Sequence, residues 1–153
     1  MQNVALLLVL LTMTGVGGSQ AGAPADHPFA GTWTANLAKS KLHSNAQIQR
    51  ITLRFDLSAD AVSITDMVID VSGRNVGNGT TTFQTDGKAY PHDELLPGLT
   101  VVARWRDSRA FETVLSRRDG QMDRVTYEIS ADGMTLTNTT SGALGEQVIV
   151  FER

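Results

Sequence analysis

Few residues in this chain have the type and spacing that chemistry would need. His92, Asp93 and Glu94 stand consecutively after Tyr90-Pro91. They are metal-ligand and general-base types, but consecutive side chains on an extended chain point to opposite sides and do not converge on one ion. The other histidines, His27 and His43, are remote in sequence, and no spacing brings them to the triplet. The triplet therefore reads as a solvated loop, with no metal site and no catalytic residue assigned. Arg104, Arg106, Arg109, Arg117, Arg118 and Arg124 crowd the second half. Such charges keep the outer face of a sheet wet and its edges unattractive to other strands. There is no Gly-x-Ser-x-Gly, phosphate-cradling loop, His-Glu-x-x-His or calcium loop. The absence of cysteine removes disulfides, thiolate zinc sites, iron–sulfur clusters and cysteine nucleophiles. With 13 Lys+Arg against 16 Asp+Glu, a net charge of −3, the chain lacks the basic face that nucleic acid requires.

The elements that must position these residues have a period of two. In Ile51-Thr52-Leu53-Arg54-Phe55-Asp56-Leu57 apolar and polar residues alternate strictly, as in a strand with one dry face. Val125, Tyr127 and Ile129 alternate with Arg124, Thr126 and Glu128, and Met134 and Leu136 with Thr135 and Thr137. Between Val62-Ile64 and Met67-Ile69-Val71 the parity slips by one, which predicts a bulge near Thr65-Asp66. Asp86-Gly87, Asp119-Gly120 and Asp132-Gly133 separate alternating runs and predict hairpin turns. Strands are expected near 30–35, 48–57, 61–71, 79–85, 100–106, 110–117, 121–129, 134–140 and 147–152. One short turn is expected within Asn36–Leu42. Only Asn36–Gln47 and Pro91–Leu99 are long enough to cross a sheet, so a Greek-key sandwich is disfavoured. The expectation is an all-β fold, a single up-and-down antiparallel barrel of about eight to ten strands, whose closure hides both dry face and edges.

The N-terminus differs from the rest. No charged side chain precedes Asp26, and Val4–Leu11 is an unbroken apolar run. That run is too short to span a bilayer, which takes ~20 residues. It has the length of a signal-peptide core, and the small residues Ser19-Gln20-Ala21 follow at the right distance. Residues 1–21 are expected to be a signal peptide and 22–153 the exported domain, periplasmic or extracellular.

Phe29-Ala30-Gly31-Thr32-Trp33, followed by Asn36 and Ala38-Lys39-Ser40-Lys41, resembles the opening of small exported bacterial lipocalin-like proteins of mostly unassigned function. Asp86-Gly87-Lys88, Tyr90-Pro91, Arg106-Asp107, Ser130-Ala131-Asp132-Gly133-Met134-Thr135 and Phe151-Glu152-Arg153 continue it in order. The resemblance implies a lipocalin-type (calycin) barrel. It gives Gly31 and Trp33 a structural role, with Trp33 closing the barrel bottom under an arginine, Arg106 or Arg153. It also marks departures. The two-helix lid of fatty-acid-binding proteins would have to fit into Asn36–Gln47, and their carboxylate-holding Arg-x-Tyr pair is missing; Arg124 and Tyr127 face opposite sides.

The function expected is noncovalent binding or transport of a small hydrophobic or amphipathic molecule inside the barrel. The inner face is expected to offer Ile51, Leu53, Phe55, Met67, Ile69, Val125, Tyr127, Ile129, Met134 and Leu136. Tyr127 is the inward polar handle. Tyr90, His92, Leu95 and Leu96 are expected around the mouth, in the longest connection. The alternative is a barrel filled by these same side chains and acting as an interaction module. An enzyme is less favoured, because no acid or base is placed inside. No cofactor, nucleic-acid partner or membrane span is indicated, and nothing in the sequence points to an oligomeric state. The partner expected is a small hydrophobic ligand.

Overall fold

Strict alternation and short turns produce one continuous antiparallel sheet. A computed structural model describes residues 26–43 and 47–153. The expected signal peptide, residues 1–21, lies outside them. The strands are β1 (Gly31–Ala35), β2 (Ile48–Leu57), β3 (Ala61–Asp70), β4 (Gly79–Gln84) and β5 (Asp86–Pro91), then β6 (Thr100–Asp107), β7 (Ala110–Ser116), β8 (Met122–Ile129), β9 (Thr135–Gly142) and β10 (Gly145–Glu152). Each strand pairs with its sequence neighbour except β4 with β5, and β1 also pairs with β10. The meander therefore curls into a barrel by joining its first and last strands. It stays unzipped along one line, the β4–β5 seam. The described residues hold no α-helix; Leu37–Lys39 form one 3-10 turn, capped by Asn36, whose Oδ1 accepts from the Lys39 N–H at 3.3 Å.

The all-β, up-and-down barrel is the expected fold, with two local corrections. Asp86-Gly87 does not turn a hairpin. Gly87 takes φ +76° at a register shift in β5, so the pair bulges an edge strand. The strand itself, Asp-Gly-Lys-Ala-Tyr-Pro, escaped the alternation because both its faces are largely wet, as an edge next to an open seam allows. Pro91 is tolerated there because an edge strand need not donate every amide. Nor is there a bulge at Thr65-Asp66. The β2–β3 register runs unbroken from Arg50↔Ile69 to Leu57↔Val62, and its irregularity sits at Ile48/Arg50. Val62, Ile64, Asp66, Val68 and Asp70 thus share one face. Met67 and Ile69 fall on the outer one, with Met67 38% exposed.

The interior is unevenly filled. At the end where β1 begins, Phe29, Trp33, Phe55, Phe111, Phe151 and Leu136 are each at most 1% exposed. Phe29 meets Phe55 edge-on at 5.3 Å and Trp105 at 5.1 Å, and Trp105 meets Phe111 at 5.0 Å. These offset and T-shaped geometries satisfy the ring quadrupoles. The Trp33 indole N–H donates to the Phe29 carbonyl at 3.1 Å. The Arg153 guanidinium lies 4.0 Å from the Trp33 ring centroid and also bonds the Pro28 carbonyl. Arg153, not Arg106, therefore covers Trp33; Arg106 reaches Glu128 at 3.7 Å instead. Gly31 enters β1 at φ +102°, a conformation a side chain would strain.

Candidate functional site

Toward the other end the same strands carry smaller inward residues, and space is left. A cavity of about 430 Å3 opens between two walls. Ile51, Leu53, Ile64, Asp66, Val68, Thr81 and Phe83 from β2, β3 and β4 form one wall. Tyr127, Asn138, Gln147, Ile149 and Phe151 from β8, β9 and β10 form the other, and Leu42, Ile48, Asn78 and Leu95 the rim. The walls follow from register: Leu53 pairs with Asp66, Ile51 with Val68, Ile64 with Thr81, and Tyr127 with Asn138.

The expected lining residues divide four ways. Leu53 and Tyr127 line the cavity, as does Ile51. Phe55, Ile129 and Leu136 face inward but belong to the packed core. Val125, on the Tyr127 face of β8, is half-buried outside the lining. Met67 and Ile69 lie outside the barrel, and Met134 is 52% exposed in the turn before β9. The mouth residues also separate. Leu95 lines the rim, whereas Leu96 is 41% exposed. Tyr90 turns to its own edge strand, its hydroxyl donating to Asp86 Oδ2 at 2.9 Å.

His92 is the clearest correction to the solvated-loop expectation. It is buried, its ring 5.2 Å from that of Phe83, so it stitches β4 to the segment after β5 across the seam. Its Nδ1 meets Glu94 Oε1 at 2.6 Å. The Glu94 carboxyl is held below its usual range by its own backbone amide and then by His92. Asp93 instead accepts from the Gly98 N–H at 2.6 Å, so the triplet closes the 92–99 loop. No group of three or more His, Asp or Glu among the described residues is arranged to hold a metal. The outer face has its own buried acid, Glu112, which is clamped by Arg104 at 2.8 Å and Arg124 at 3.2 Å.

Two polar groups of the cavity matter chemically. The Tyr127 phenol is pushed above its ordinary value chiefly by burial and then by the charge of Asp66, with Asn138 opposing. It stays a neutral O–H, available as a donor. Asp66 is not among the expected lining residues, nor are Asn138, Val68, Phe83 and Ile149. The missing signal for Asp66 and Val68 was the even spacing Val62-Ile64-Asp66-Val68, which the more apolar Met67-Ile69-Val71 masked.

A near-closed antiparallel barrel of ten strands with an apolar hollow is the fold seen in solved fatty-acid-binding-type structures. Solved structures share it. They include the fluorescent protein UnaG (TM-score 0.62, 15% identity, covering 82% of this chain and 96% of that one). A Schistosoma mansoni fatty acid binding protein in complex with arachidonic acid is similar too (TM-score 0.59, 12% identity, 82% and 96%). So is secretory abundant heat soluble protein 4 from Ramazzottius varieornatus (TM-score 0.56, 16% identity, 83% and 95%). No protein-family model and no curated protein matches the chain.

Proposed function

We propose that the protein binds a small hydrophobic or amphipathic molecule, noncovalently, inside the barrel. The observation that carries this reading is the cavity of about 430 Å3 with its mainly aliphatic and aromatic lining. It lies within the ~300–1,000 Å3 range of small-molecule sites, which combine apolar walls with a few placed polar groups. The fold supports the same reading, since its neighbours include a fatty acid binding protein solved with arachidonic acid. The apolar run Val4–Leu11 and the small residues through Ala21 support an exported binder, with residues 1–21 as the signal peptide. Mass spectrometry of the protein from its native host should then find an N-terminus near Gly22.

Titration with the neutral apolar dye N-phenyl-1-naphthylamine tests the cavity. Saturable one-to-one binding is expected. Val68→Phe should weaken it by about tenfold or more while changing stability by under ~1 kcal/mol, since the ring fills space and displaces no neighbour. Absence of dye binding by a stably folded protein would leave the filled barrel as the better account.

A further inference from the structure

The cavity has a sign. Asp66 projects into it, and no Lys, Arg or His side chain is among the residues that line it. Among the described residues the Asp66 carboxylate receives one hydrogen bond, from the Asn78 backbone N–H to Oδ2 at 3.0 Å. Among the same residues Oδ1 has no protein donor and opens to solvent, and no cation pairs with the group. The loop before β4 fits closely around it. A Cβ at Gly77 would stand 2.8 Å from the Asp66 carbonyl oxygen and 3.1 Å from Oδ2. Gly79, the cross-strand partner of Asp66 on β4, has no side chain to cover it. From the facing wall come Tyr127 and Asn138, cross-strand partners that offer a hydroxyl and a carboxamide. The field of Asp66 reaches that wall, because it adds to the upward displacement of the Tyr127 pKa.

We infer that the cavity selects amphiphiles whose polar end is a protonated amine, held by Asp66 with Tyr127 and Asn138 beside it, and discriminates against carboxylates. This rests on the proposed ligand cavity and names the class of molecule it takes. An ammonium brings three donors and a positive charge to a carboxylate that has one backbone donor, on Oδ2, and no cation among the described residues. A fatty acid lying head-inward sets a second carboxylate against the first with no cation between them, and like charges so placed disfavour ionisation of both. A fatty acid lying head-outward escapes that repulsion but gains nothing from Asp66. A neutral alcohol falls between, donating one hydrogen bond. The preferred head is thus opposite in charge to the carboxylate of a fatty acid, the class of molecule with which the similar Schistosoma protein is in complex.

The test is competition against bound N-phenyl-1-naphthylamine by dodecylamine, dodecanol and dodecanoate below their micelle concentrations. The amine should displace the dye at a concentration about tenfold or more below that needed for the acid, with the alcohol between them. Asp66→Asn, nearly isosteric, should bring amine and acid to within about threefold of each other, each read against the variant's own dye affinity. Equal displacement by amine and acid, or better displacement by the acid, overturns the head-group inference while the cavity reading stands. An amine preference that survives Asp66→Asn comes from the overall net charge of −3 and overturns it as well. Failure of the dye to bind the wild-type protein removes the cavity reading and the head-group inference together. Should Asp66→Asn not fold, the same series measured from low to high salt decides. A preference seated in the cavity persists, whereas one arising from surface charge is screened away.

Discussion

The two ends of the barrel share most of their strands and differ in the size of what points inward. Along β2, Phe55 lies at one end, where Phe29 and Tyr127 meet its ring at 5.3 and 5.5 Å. Two and four residues earlier, Leu53 and Ile51 line open space. On β3 the inner positions pass from Val62, wholly buried, through Ile64 to Asp66 and Val68, which border the cavity. β2, β3, β8, β9 and β10 run through both ends, whereas β1 pairs β2 only from Gly31↔Phe55 to Thr34↔Thr52 and β4 pairs β3 only from Ala61↔Gln84 to Asp66↔Gly79, toward the filled end. A barrel of this width can be filled or hollow, and here side-chain volume decides which. A cluster of wholly buried aromatic rings closes one end, while a mostly aliphatic lining with only Phe83, Tyr127 and Phe151 among it leaves room at the other.

The largest effect should come from removing the ring at the centre of the filled end. Trp33→Ala deletes a wholly buried indole, its hydrogen bond to the Phe29 carbonyl and the surface under Arg153. It should cost ~3–5 kcal/mol in urea unfolding. Ile51→Ala, at the hollow end, should cost distinctly less, because its side chain already borders space. Equal costs would mean that the two ends are equally packed. A smaller effect is expected from Arg153→Met, which keeps much of the apolar stem but removes the cation from above Trp33. About 0.5–2 kcal/mol should be lost, with no change in dye binding at the far end.

The smallest and most local test is acid. Asp70 ends β3 at the hollow end, and its carboxylate accepts from the Ser72 N–H and hydroxyl at 2.8 and 2.6 Å and from the Arg74 guanidinium at 3.0 Å. The Ser72 hydroxyl and then the Arg74 backbone amide lower its pKa from 3.8 to about 2. A depressed folded-state value makes the stabilisation complete above the unfolded value and progressively lost as pH falls through about 2. Asp70→Asn should therefore flatten the fall of stability between about pH 5 and 2, read from thermal unfolding. A slope unchanged by the substitution would place the acid sensitivity elsewhere.

Which of these features the sequence discloses depends on whether the signal is local. The alternation of Ile51 to Leu57 and of Val125 to Ile129 is local and unambiguous, so the all-β meander and its facing residues are legible. On β3 it is not. Met67, Ile69 and Val71 on the outer face are as apolar as the inner set, so hydrophobicity chooses the wrong parity and puts a bulge where the register is continuous. Asp66 disappears into that bulge. The burial of His92 depends on Phe83 in a non-neighbouring segment, and no periodicity records such a contact. Leu53 and Phe55 are equally inward and equally apolar. That one faces a ligand-sized space and the other a wall of rings follows from what lies across the barrel, which only the register supplies.

The unzipped line between β4 and β5 has a mechanical consequence. In a barrel hydrogen-bonded all the way round, strand number and stagger fix the diameter, and any widening must break a ladder. Here the circumference is a ribbon with two free margins, held together at the seam by side chains such as Phe83 and His92. Widening along that line, away from the single-residue link at Thr85, breaks no ladder between the strands, whereas widening anywhere else around the circumference must break one.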